Sequence, residues 1–320
     1  MKFKVLGTGS YIPPKVVTND DLAAMVDTND EWISKRVGIK ERHVSVDETT
    51  SQMAAKAAAA ALENSGLKAE ELDMIIAASI SPDHHSPGVG CLVQKALGAT
   101  CPAMDIGGTA CSGFTYLIET AAAYLALGKA EKILIVGAER MSTLVDWSDR
   151  STCIIFADGA GAMVVSGAEN NLLASTLRTE GDGVIIRIPA VTGRSPFYTG
   201  EAVKEPYIYM NGQETYKFAV NTMRSIITEL MEETGLEDQD IKWVVPHQAN
   251  IRIINEAKRK LPISPEKFCS NIDKTGNTSS ASVGILIDQL NRAGKLQRGD
   301  NIIIVAFGGG FCSGGCALTW

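Results

Sequence analysis

A cysteine among small residues, followed by an apolar helical stretch, is the first group in this chain that could do covalent chemistry. Residues 105–114 read Asp-Ile-Gly-Gly-Thr-Ala-Cys-Ser-Gly-Phe, and the thiol is that of Cys111. Small neighbours leave room for a substrate, and the positive end of a helix dipole favours the thiolate of a cysteine at the helix start. A thiolate that reaches a thioester becomes an acyl carrier. On these residues alone, a buried structural cysteine in a packing turn is an equally good interpretation.

A histidine stands at the end of an apolar strand in the second half of the chain. His247 follows the run Trp-Val-Val-Pro at 243–246 and precedes a helical stretch over 251–260. In α/β folds, ligands bind beyond the carboxyl ends of strands, so the position suits a histidine that contacts a substrate. Taken alone, a histidine satisfied by local backbone or by the next helix is the commoner arrangement.

Two further segments are rich in amides, hydroxyls and glycines. Residues 276–283 read Gly-Asn-Thr-Ser-Ser-Ala-Ser-Val, with the amide at Asn277, and residues 307–311 read Phe-Gly-Gly-Gly-Phe. Thr278 or Ser279 could simply cap the following helix. Glycines let backbone N–H groups approach a substrate oxygen, as an oxyanion hole requires, but they equally fit a bulge or a tight turn.

Alternating strands and helices must position these residues. This alternation predicts an α/β protein whose sheets are covered by helices. A turn-like run at 167–171 separates a first half, 1–170, from a second half, 171–320, and each half repeats a strand, a small-residue turn and a helix. The apolar patterns predict strands over 73–79, 132–137, 162–165, 243–245 and 301–306, and helices over 51–64, 111–127, 212–234 and 280–293.

The composition is that of a globular protein with an acidic balance. The 320 residues are 45% hydrophobic and 21% charged, with a formal net charge of −7. This charge argues against a general nucleic-acid binder, because phosphates require a basic surface. The apolar runs are too short to span a membrane, and the first residues lack the apolar region of a signal peptide. The seven irregularly spaced cysteines are therefore predicted to be reduced thiols in a cytoplasmic protein.

Motifs for nucleotides and metals are incomplete. The run Gly-Thr-Gly at 7–9 follows a strand-like start, but Ile12 occupies the place of the third glycine of a dinucleotide fingerprint. Cys312 and Cys316 lack a second pair of ligands, and the histidine pair at 84–85 has no cysteine or carboxylate at metal spacing. We expect no metal site.

Taken together, three segments resemble the type III β-ketoacyl-(acyl carrier protein) synthases of the thiolase-like superfamily. They are Ala-Cys-Ser-Gly-Phe at 110–114, Val-Pro-His-Gln-Ala-Asn at 245–250 and Gly-Asn-Thr-Ser-Ser-Ala-Ser at 276–282. The resemblance covers essentially the whole chain. It implies a duplicated αβαβα layered fold with mixed five-stranded sheets, in which residues 1–170 carry the nucleophile and residues 171–320 carry the histidine and the asparagine.

The resemblance also implies an acyltransferase reaction that needs no cofactor. Cys111 would take an acyl group from an acyl-CoA primer, and malonyl-(acyl carrier protein) would lose carbon dioxide and condense with it to start a fatty-acid chain. His247 and Asn277 would stabilise the enolate, while the backbone N–H groups of Cys111 and Gly309 would hold the oxyanion. Neutral donors suffice because decarboxylation produces the carbanion without a strong base. The asparagine distinguishes this set from the Cys-His-His set of elongating synthases.

Two binding surfaces follow from the same resemblance. Residues 30–39 match the family's coenzyme A segment, where Trp32 and Arg150 would sandwich the adenine with Arg36 nearby. An aromatic face and guanidinium groups suit a purine and its phosphates, although a core tryptophan on a short helix is the alternative. A basic patch would receive the acidic carrier protein, although a solvated helix face is the alternative. The patch consists of Lys217, Arg252, Lys258, Arg259 and Lys260.

The sequence departs from the family around the acyl pocket. Ser86 stands where acetyl-using members have a phenylalanine, and Gly-Gly-Thr at 107–109 replaces an Asn-Ala-Ala type of lead-in. Acetyl, branched and longer primers therefore remain open. In relatives the phenylalanine segment helps to build the partner's pocket, so a homodimer is implied.

Three other functions compete with the synthase. One is a condensing or acyl-transfer enzyme of secondary metabolism that uses a different primer or acceptor. The second is a non-catalytic subunit that binds acyl carriers, which would need none of Cys111, His247 and Asn277. The third is a protein that senses redox state through a reactive cysteine.

Overall fold

A computed structural model of the chain shows strands and helices alternating along its length. The structure describes residues 1–191, 195–203 and 207–320. The strands are β1 (Lys4–Tyr11), β2 (Lys15–Thr18), β3 (Glu41–Val44), β4 (Met74–Ala78), β5 (Ala103–Ile106), β6 (Lys132–Arg140), β7 (Asp158–Ser166), β8 (Leu172–Asp182), β9 (Ile186–Arg187), β10 (Tyr209–Met210), β11 (Ile241–Pro246), β12 (Asn301–Phe307) and β13 (Gly310–Thr319). The helices are α1 (Asn19–Ala23), α2 (Asp30–Val37), α3 (Thr50–Ser65), α4 (Val89–Leu97), α5 (Gly113–Ala126), α6 (Gly212–Thr234), α7 (Ile251–Lys260), α8 (Ile272–Thr275) and α9 (Ser282–Arg292).

The first sheet is mixed and has five strands in the order β1-β7-β6-β4-β5. β4 runs parallel to β5 and β6, whereas β7 pairs antiparallel with β6 and β1. β4 and β7 are buried along their whole length. Burial on both faces explains why their segments are continuous runs of apolar and small residues instead of alternating patterns. All five strands precede residue 170.

The second sheet has the order β11-β12-β13-β8, and its strands all follow residue 171. The expectation of five strands holds for the first sheet, but the described residues form four in the second. Beside β11, in the place that β5 takes beside β4, the chain makes a single parallel bridge between Val244 and Phe268. The segment there is short, because α8 begins at Ile272. The division into halves 1–170 and 171–320 stays a prediction.

Helices and sheets stack in five layers. One face of the first sheet packs on α3 and α4 in a cluster that includes Ala57 and Leu134. Its other face shares α5 and α9 with the second sheet, in a cluster that includes Phe114 and Ile304. The far face of the second sheet packs on α6 and α7 around Met223. This α-β-α-β-α order is the predicted layered fold, and it places α5 and α9 together in the central layer.

The glycines near the start of the chain serve close packing. A Cβ on Gly7 would lie 2.5 Å from the backbone nitrogen of Ser65, and a Cβ on Gly9 would lie 2.2 Å from the backbone oxygen of Ala57. Both contacted residues belong to α3, so β1 lies directly against that helix. The Gly-Thr-Gly run therefore has a packing explanation.

Candidate active site

Cys111 lies in a one-turn 3₁₀ segment, Ala110–Ser112, between β5 and α5. Ala110 has a φ of +46°, a left-handed conformation that residues with side chains rarely adopt. The glycine turn after β12 packs on this segment, because a Cβ on Gly308 would be 2.7 Å from the backbone nitrogen of Cys111. α5 itself begins at Gly113. The predicted helical stretch over 111–127 is therefore confirmed to within a residue at its ends, with a 3₁₀ turn as its first part, and the thiol sits on that turn.

The thiol of Cys111 is protonated at neutral pH. Burial and, to a smaller extent, the charge of Glu139 raise its pKa to about 12, against a hydrogen bond with the Ser279 side chain that lowers it. One side of the residue nevertheless faces an open cavity, and Cys111 as a whole is only half-buried. The expectation of a thiolate stabilised by the helix is therefore wrong for the free site. The thiol must lose its proton during a reaction.

His247 follows β11 and is held on several sides. Its backbone N–H donates to the Val305 oxygen at 2.8 Å, and its ring, 1% exposed, lies edge-on to Phe307 with centroids 5.6 Å apart. Burial lowers the pKa of His247 to about 3, so the ring is neutral at neutral pH. Nδ1 lies 2.6 Å from Ser282 Oγ, which also accepts the Gln248 N–H at 3.5 Å. The Ser282 hydroxyl can donate its hydrogen to Nδ1, and in that tautomer the ring proton lies on Nε2.

Asn277 is fixed by its backbone and presents an amide donor. Its N–H donates to the Ile155 oxygen at 3.0 Å, and its carbonyl accepts from the Ala157 N–H at 2.9 Å. The preceding Gly276 has a φ of +63°, which turns the chain into this position. Oδ1 accepts the Ser279 N–H at 2.9 Å, so the NH₂ end of the amide remains as a donor.

One cavity of about 1880 Å³ brings the predicted catalytic residues together. Cys111 reaches it from the first half of the chain, and His247, Asn277 and Gly309 reach it from the second half. The neighbouring Gly308 N–H donates to the Cys312 oxygen at 2.8 Å and so is used within the glycine turn. The residues predicted to bind coenzyme A line the same cavity, and these are Trp32, Arg36 and Arg150.

The predicted adenine site has both of its walls but no gap between them. The guanidinium of Arg150 lies 5.2 Å from the ring centroid of Trp32, and that of Arg36 lies 5.8 Å from it. Arg150 also donates to the backbone oxygen of Asp27 at 2.6 Å. A purine between the two walls needs about 7 Å, twice a van der Waals contact distance. Arg150 would have to move away from Trp32 for the ring to enter.

The predicted basic patch divides into two groups, and the first is the last turn of α7. This turn carries Lys258, Arg259 and Lys260. The side chains of Arg259 and Lys260 both pair with Glu256, at 2.8 and 2.9 Å. Part of the positive charge of this turn is therefore balanced on the same helix.

The second group lies beside the cavity. Arg252 and Lys217 both line it. The guanidinium of Arg252 lies 5.6 Å from the ring centroid of Tyr216, and Lys217 pairs with Glu214 at 2.8 Å. The structure therefore brings two of the five predicted cations to the cavity and leaves the other three at the far end of α7.

The departures around the acyl pocket fall on the cavity wall. Ser86 and Gly108 both line the cavity, together with the apolar side chains of Met141, Ile155 and Phe156. A serine in place of an aromatic ring leaves more space at that point of the wall. The cavity therefore has room for branched and longer acyl groups as well as for acetyl.

A buried carboxylate that the motifs did not reveal lies at the end of β6. Glu139 is fully buried, and its Oε2 accepts the N–H groups of Ile80 and Ser81, both at 3.1 Å. Oε1 accepts the hydroxyls of Ser279 and Ser280 at 3.2 and 2.7 Å. Burial raises the pKa of Glu139, and the hydrogen bonds to it lower that pKa. A charged residue within the last residues of an otherwise apolar strand is the signal that could have found it.

The described residues show neither a metal-ligand cluster nor a membrane-spanning helix, and the cysteines are unpaired. Over residues 1–191, 195–203 and 207–320, no group of three or more His, Cys, Asp or Glu side chains is placed to hold a metal ion. Within the same ranges, no helix is long and apolar enough to cross a bilayer. All seven cysteines are free thiols.

Comparisons with known proteins identify the family. Residues 104–181 match the family described as 3-oxoacyl-[acyl-carrier-protein (ACP)] synthase III, and residues 231–320 match its C-terminal part. The β-ketoacyl-[acyl-carrier-protein] synthase III of Clostridium acetobutylicum is 44% identical over 319 residues, which cover 99% of this chain and 98% of that relative.

Solved structures agree with the sequence relatives. The crystal structure of 3-oxoacyl-[acyl-carrier-protein] synthase III from Aquifex aeolicus is 42% identical, with a TM-score of 0.91 over 99% of this chain and 100% of that one. The priming β-ketosynthase of the R1128 polyketide biosynthetic pathway is 31% identical, with a TM-score of 0.92 over 99% and 96%. The predicted thiolase-like fold is confirmed. This chain belongs to the 3-oxoacyl-(acyl carrier protein) synthase III family and is a condensing acyltransferase that initiates fatty-acid chains.

Proposed function

We propose that this enzyme loads an acyl group from a short acyl-CoA onto Cys111 and condenses it with malonyl-(acyl carrier protein). The observation that carries the proposal is the single cavity in which Cys111, His247 and Asn277 meet, although they come from distant parts of the chain. Acyl-CoA is a substrate in this reaction, which uses no cofactor of its own.

Loading begins when the sulfur of Cys111 attacks the thioester carbonyl. The S–C bond forms as the thiol loses its proton, and coenzyme A leaves as a thiolate. Backbone N–H groups of Cys111 and Gly309 hold the oxyanion of the tetrahedral intermediate. The close approach of Gly308 to the Cys111 nitrogen supports this role, because it brings the glycine turn against the nucleophile's backbone.

Condensation uses neutral donors. Loss of carbon dioxide from the malonyl group leaves a carbanion that is stabilised as an enolate. The Nε2–H of His247 and the NH₂ group of Asn277 hydrogen-bond the enolate oxygen. A pKa of about 3 keeps His247 neutral, so the ring acts as a hydrogen-bond donor without carrying charge. Removing one such donor from a comparable site raises the barrier by about 3–4 kcal/mol.

Coenzyme A and the carrier protein approach through the same cavity. Trp32 and Arg36, with Arg150 displaced, bind the adenine and phosphates of the primer. The carrier protein docks on the cations predicted for it, among which Arg252 and Lys217 lie at the cavity. Arg252→Glu should raise KM for the carrier protein more than Lys260→Glu does, and equal effects would remove the distinction between the two groups.

The enzyme works as a cytoplasmic homodimer in this proposal. β5 is the last strand of the first sheet, and an edge strand offers backbone groups to which a second copy can pair. Seven free thiols suit a reducing compartment. Light scattering of the purified protein tests the dimer, and a monomer at micromolar concentration would contradict it.

Intact-protein mass spectrometry with a panel of acyl-CoAs tests the reaction. One acyl mass should appear on the enzyme but not on Cys111→Ser, and malonyl-(acyl carrier protein) should discharge it as a β-ketoacyl product. Absence of any load on Cys111 would overturn the proposal.

A condensing enzyme of secondary metabolism is the second candidate. The likeness to the R1128 priming ketosynthase supports it, since the two chains share 31% identity and a TM-score of 0.92. The same mass measurement separates the two, because loading from an acyl carrier protein but from none of the acyl-CoAs would favour the specialised role.

A further inference from the structure

Ser279 lies between the thiol of Cys111 and the carboxylate of Glu139. Its hydroxyl donates to Glu139 Oε1 at 3.2 Å, and its side chain also interacts with the Cys111 thiol, whose pKa it lowers. Ser279 is fully buried and has a φ of +49°, which a serine adopts only where the surrounding structure demands it. The strained backbone therefore fixes one hydroxyl between a nucleophile and a buried acid.

Both oxygens of Glu139 accept hydrogen bonds from hydroxyls. Oε2 accepts the hydroxyls of Ser79 and Ser81 at 3.2 and 2.6 Å, besides two backbone N–H groups whose direction cannot reverse. Oε1 meets only the hydroxyls of Ser279 and Ser280, which can donate or accept. The Ser280 hydroxyl also lies 3.2 Å from the backbone oxygen of Ala78, so its hydrogen can turn there while its oxygen accepts from a protonated Oε1. Glu139 can therefore be fully hydrogen-bonded in both its ionised and its protonated form.

His247 is poorly placed to keep the proton of Cys111. Its Nδ1 is occupied by Ser282, and burial lowers its pKa to about 3. Its proposed work in condensation also requires a neutral ring with its hydrogen on Nε2. The proton of the thiol thus needs another acceptor.

We propose that Glu139 accepts the proton of Cys111 through Ser279 when the acyl group is loaded, and returns it when condensation releases the thiolate. The proposal rests on the acyl-Cys111 intermediate of the proposed function and adds the place where its proton is held. Glu139 does not touch the substrate and acts through Ser279.

The steps balance over one turnover. During loading, the S–H bond of Cys111 breaks as the S–C bond forms, the proton moves to Ser279 Oγ, and the hydrogen of Ser279 moves to Glu139 Oε1. The coenzyme A thiolate leaves and takes a proton from water. During condensation, the carbanion forms a C–C bond with the acyl carbon, the C–S bond to Cys111 breaks, and the relay runs backwards. One solvent proton is consumed per turnover, by coenzyme A.

Proton counting during loading tests this assignment. The wild-type enzyme is mixed with acetyl-CoA, or with isobutyryl-CoA if that loads more fully, at pH 7 in weak buffer with a pH indicator and without malonyl-(acyl carrier protein). A coenzyme A thiol of pKa about 8.5 is almost fully protonated at this pH. Since Glu139 keeps the enzyme's proton, close to one proton should be taken up from solution per acylated Cys111. No uptake would overturn the proposal, because the thiol's proton would then have passed to coenzyme A.

Acylation is measured in parallel by intact mass. Failure of Cys111 to load would count against the proposed function itself. Loading without proton uptake would count only against Glu139 as the acceptor of the proton. An infrared carboxylic acid band should also appear on loading of the wild type and be missing in Glu139→Gln. A wild-type enzyme that loads without this band would contradict the protonation of Glu139. The test therefore does not depend on whether the variant folds.

Ser279→Ala interrupts the relay while leaving Glu139 in place. Loading should slow by roughly 100-fold, the lower range for loss of proton transfer, and the proton uptake per acyl group should fall towards zero. Ser112→Ala is the matched control, since that hydroxyl lies on the Cys111 turn and donates to the Thr109 oxygen at 2.6 Å. Full proton uptake in Ser279→Ala would overturn the relay.

Discussion

The turn that carries Cys111 and the turn that follows Asn277 share one backbone design but carry different chemistry. Each is a three-residue 3₁₀ segment before a helix of the central layer, Ala110–Ser112 before α5 and Ser279–Ala281 before α9. Each begins with a non-glycine residue at positive φ, +46° at Ala110 and +49° at Ser279. The two segments thus share a strained turn directly before a helix of the central layer.

The side chains divide the work between the two turns. The first turn offers one thiol among small residues, and the second offers amide and hydroxyl groups. The two turns pack against each other, since a Cβ on Gly113 would lie 2.9 Å from the Ser280 Cβ. In the proposed reaction, one turn makes and breaks the covalent bond, whereas the other supplies donors that stabilise charge.

Asn277→Asp should have the largest effect on the reaction, because it should slow condensation but not loading. The aspartate keeps the oxygen that accepts the Ser279 N–H but loses the NH₂ donor, so the turn holds its shape while the enolate loses a partner. We expect condensation to fall by about 100- to 1,000-fold, with acyl loading on Cys111 retained. Intact mass measures loading and a coupled product assay measures condensation. Equal losses in both steps would show that the two turns do not divide the reaction.

Gly137→Ala should displace the second turn. A Cβ there would lie 2.6 Å from the backbone oxygen of Ser280, so the second turn must shift. Overpacking of this kind costs about 1–3 kcal/mol of stability, and we expect both loading and condensation to fall by roughly tenfold, since sub-ångström misplacement already slows catalysis. Melting temperature and both half-reactions check this. Gly107→Ala is the control, because nothing lies within 4 Å of its Cβ, and an equal effect there would contradict the packing argument.

The sequence predicted regular elements well where both ends carry a chemical signal. α6 spans Gly212–Thr234, the predicted range, because Asn211 caps its start and Gly235 ends it at a φ of +69°. The two strained turns carry no such signal. Alanine and serine do not ordinarily adopt a positive φ, so the conformation at Ala110 and Ser279 arises from the packing of distant segments.

Only the part of the site that stands in short sequence motifs could be predicted. Cys111, His247 and Asn277 stand in short motifs that a family resemblance can identify, and the structure places all three on one cavity. Glu139 stands in no such motif, because partners of its carboxylate lie 58 and 141 residues away along the chain. A network assembled only by folding cannot be recognised from neighbouring residues. The thiolate predicted at Cys111 failed likewise, since local sequence does not show burial.

Ser282→Ala should sharpen the role of the second turn with a smaller effect. Without the hydroxyl at 2.6 Å, Nδ1 of His247 loses its hydrogen bond, and the ring proton is no longer confined to Nε2. We expect condensation to slow by roughly tenfold, the value of about 1.4 kcal/mol for one neutral hydrogen bond, while loading stays unchanged. Ser225→Ala, which removes a hydroxyl bonded to Arg178 on the surface, is the control. Unchanged condensation in Ser282→Ala would mean that the tautomer is set in another way.

The smallest effect concerns stability at acid pH and tests whether His247, which contacts Ser282 just after the second turn, is a neutral donor. The folded pKa of His247 is about 3, below the value of about 6.5 for an unfolded chain. Below pH 6.5 the unfolded chain therefore binds a proton that the folded protein does not, and stability is lost as the pH falls. The loss from this one group at pH 5.5 is about 1.4 kcal/mol. His247→Gln should lose less stability than the wild type between pH 7.5 and 5.5 in thermal unfolding, while His84→Gln, which changes an exposed histidine, should follow the wild type. A wild type and a His247→Gln variant that lose the same stability would mean that the folded protein protonates this ring. His247 would then present a cation to the enolate instead of a neutral donor.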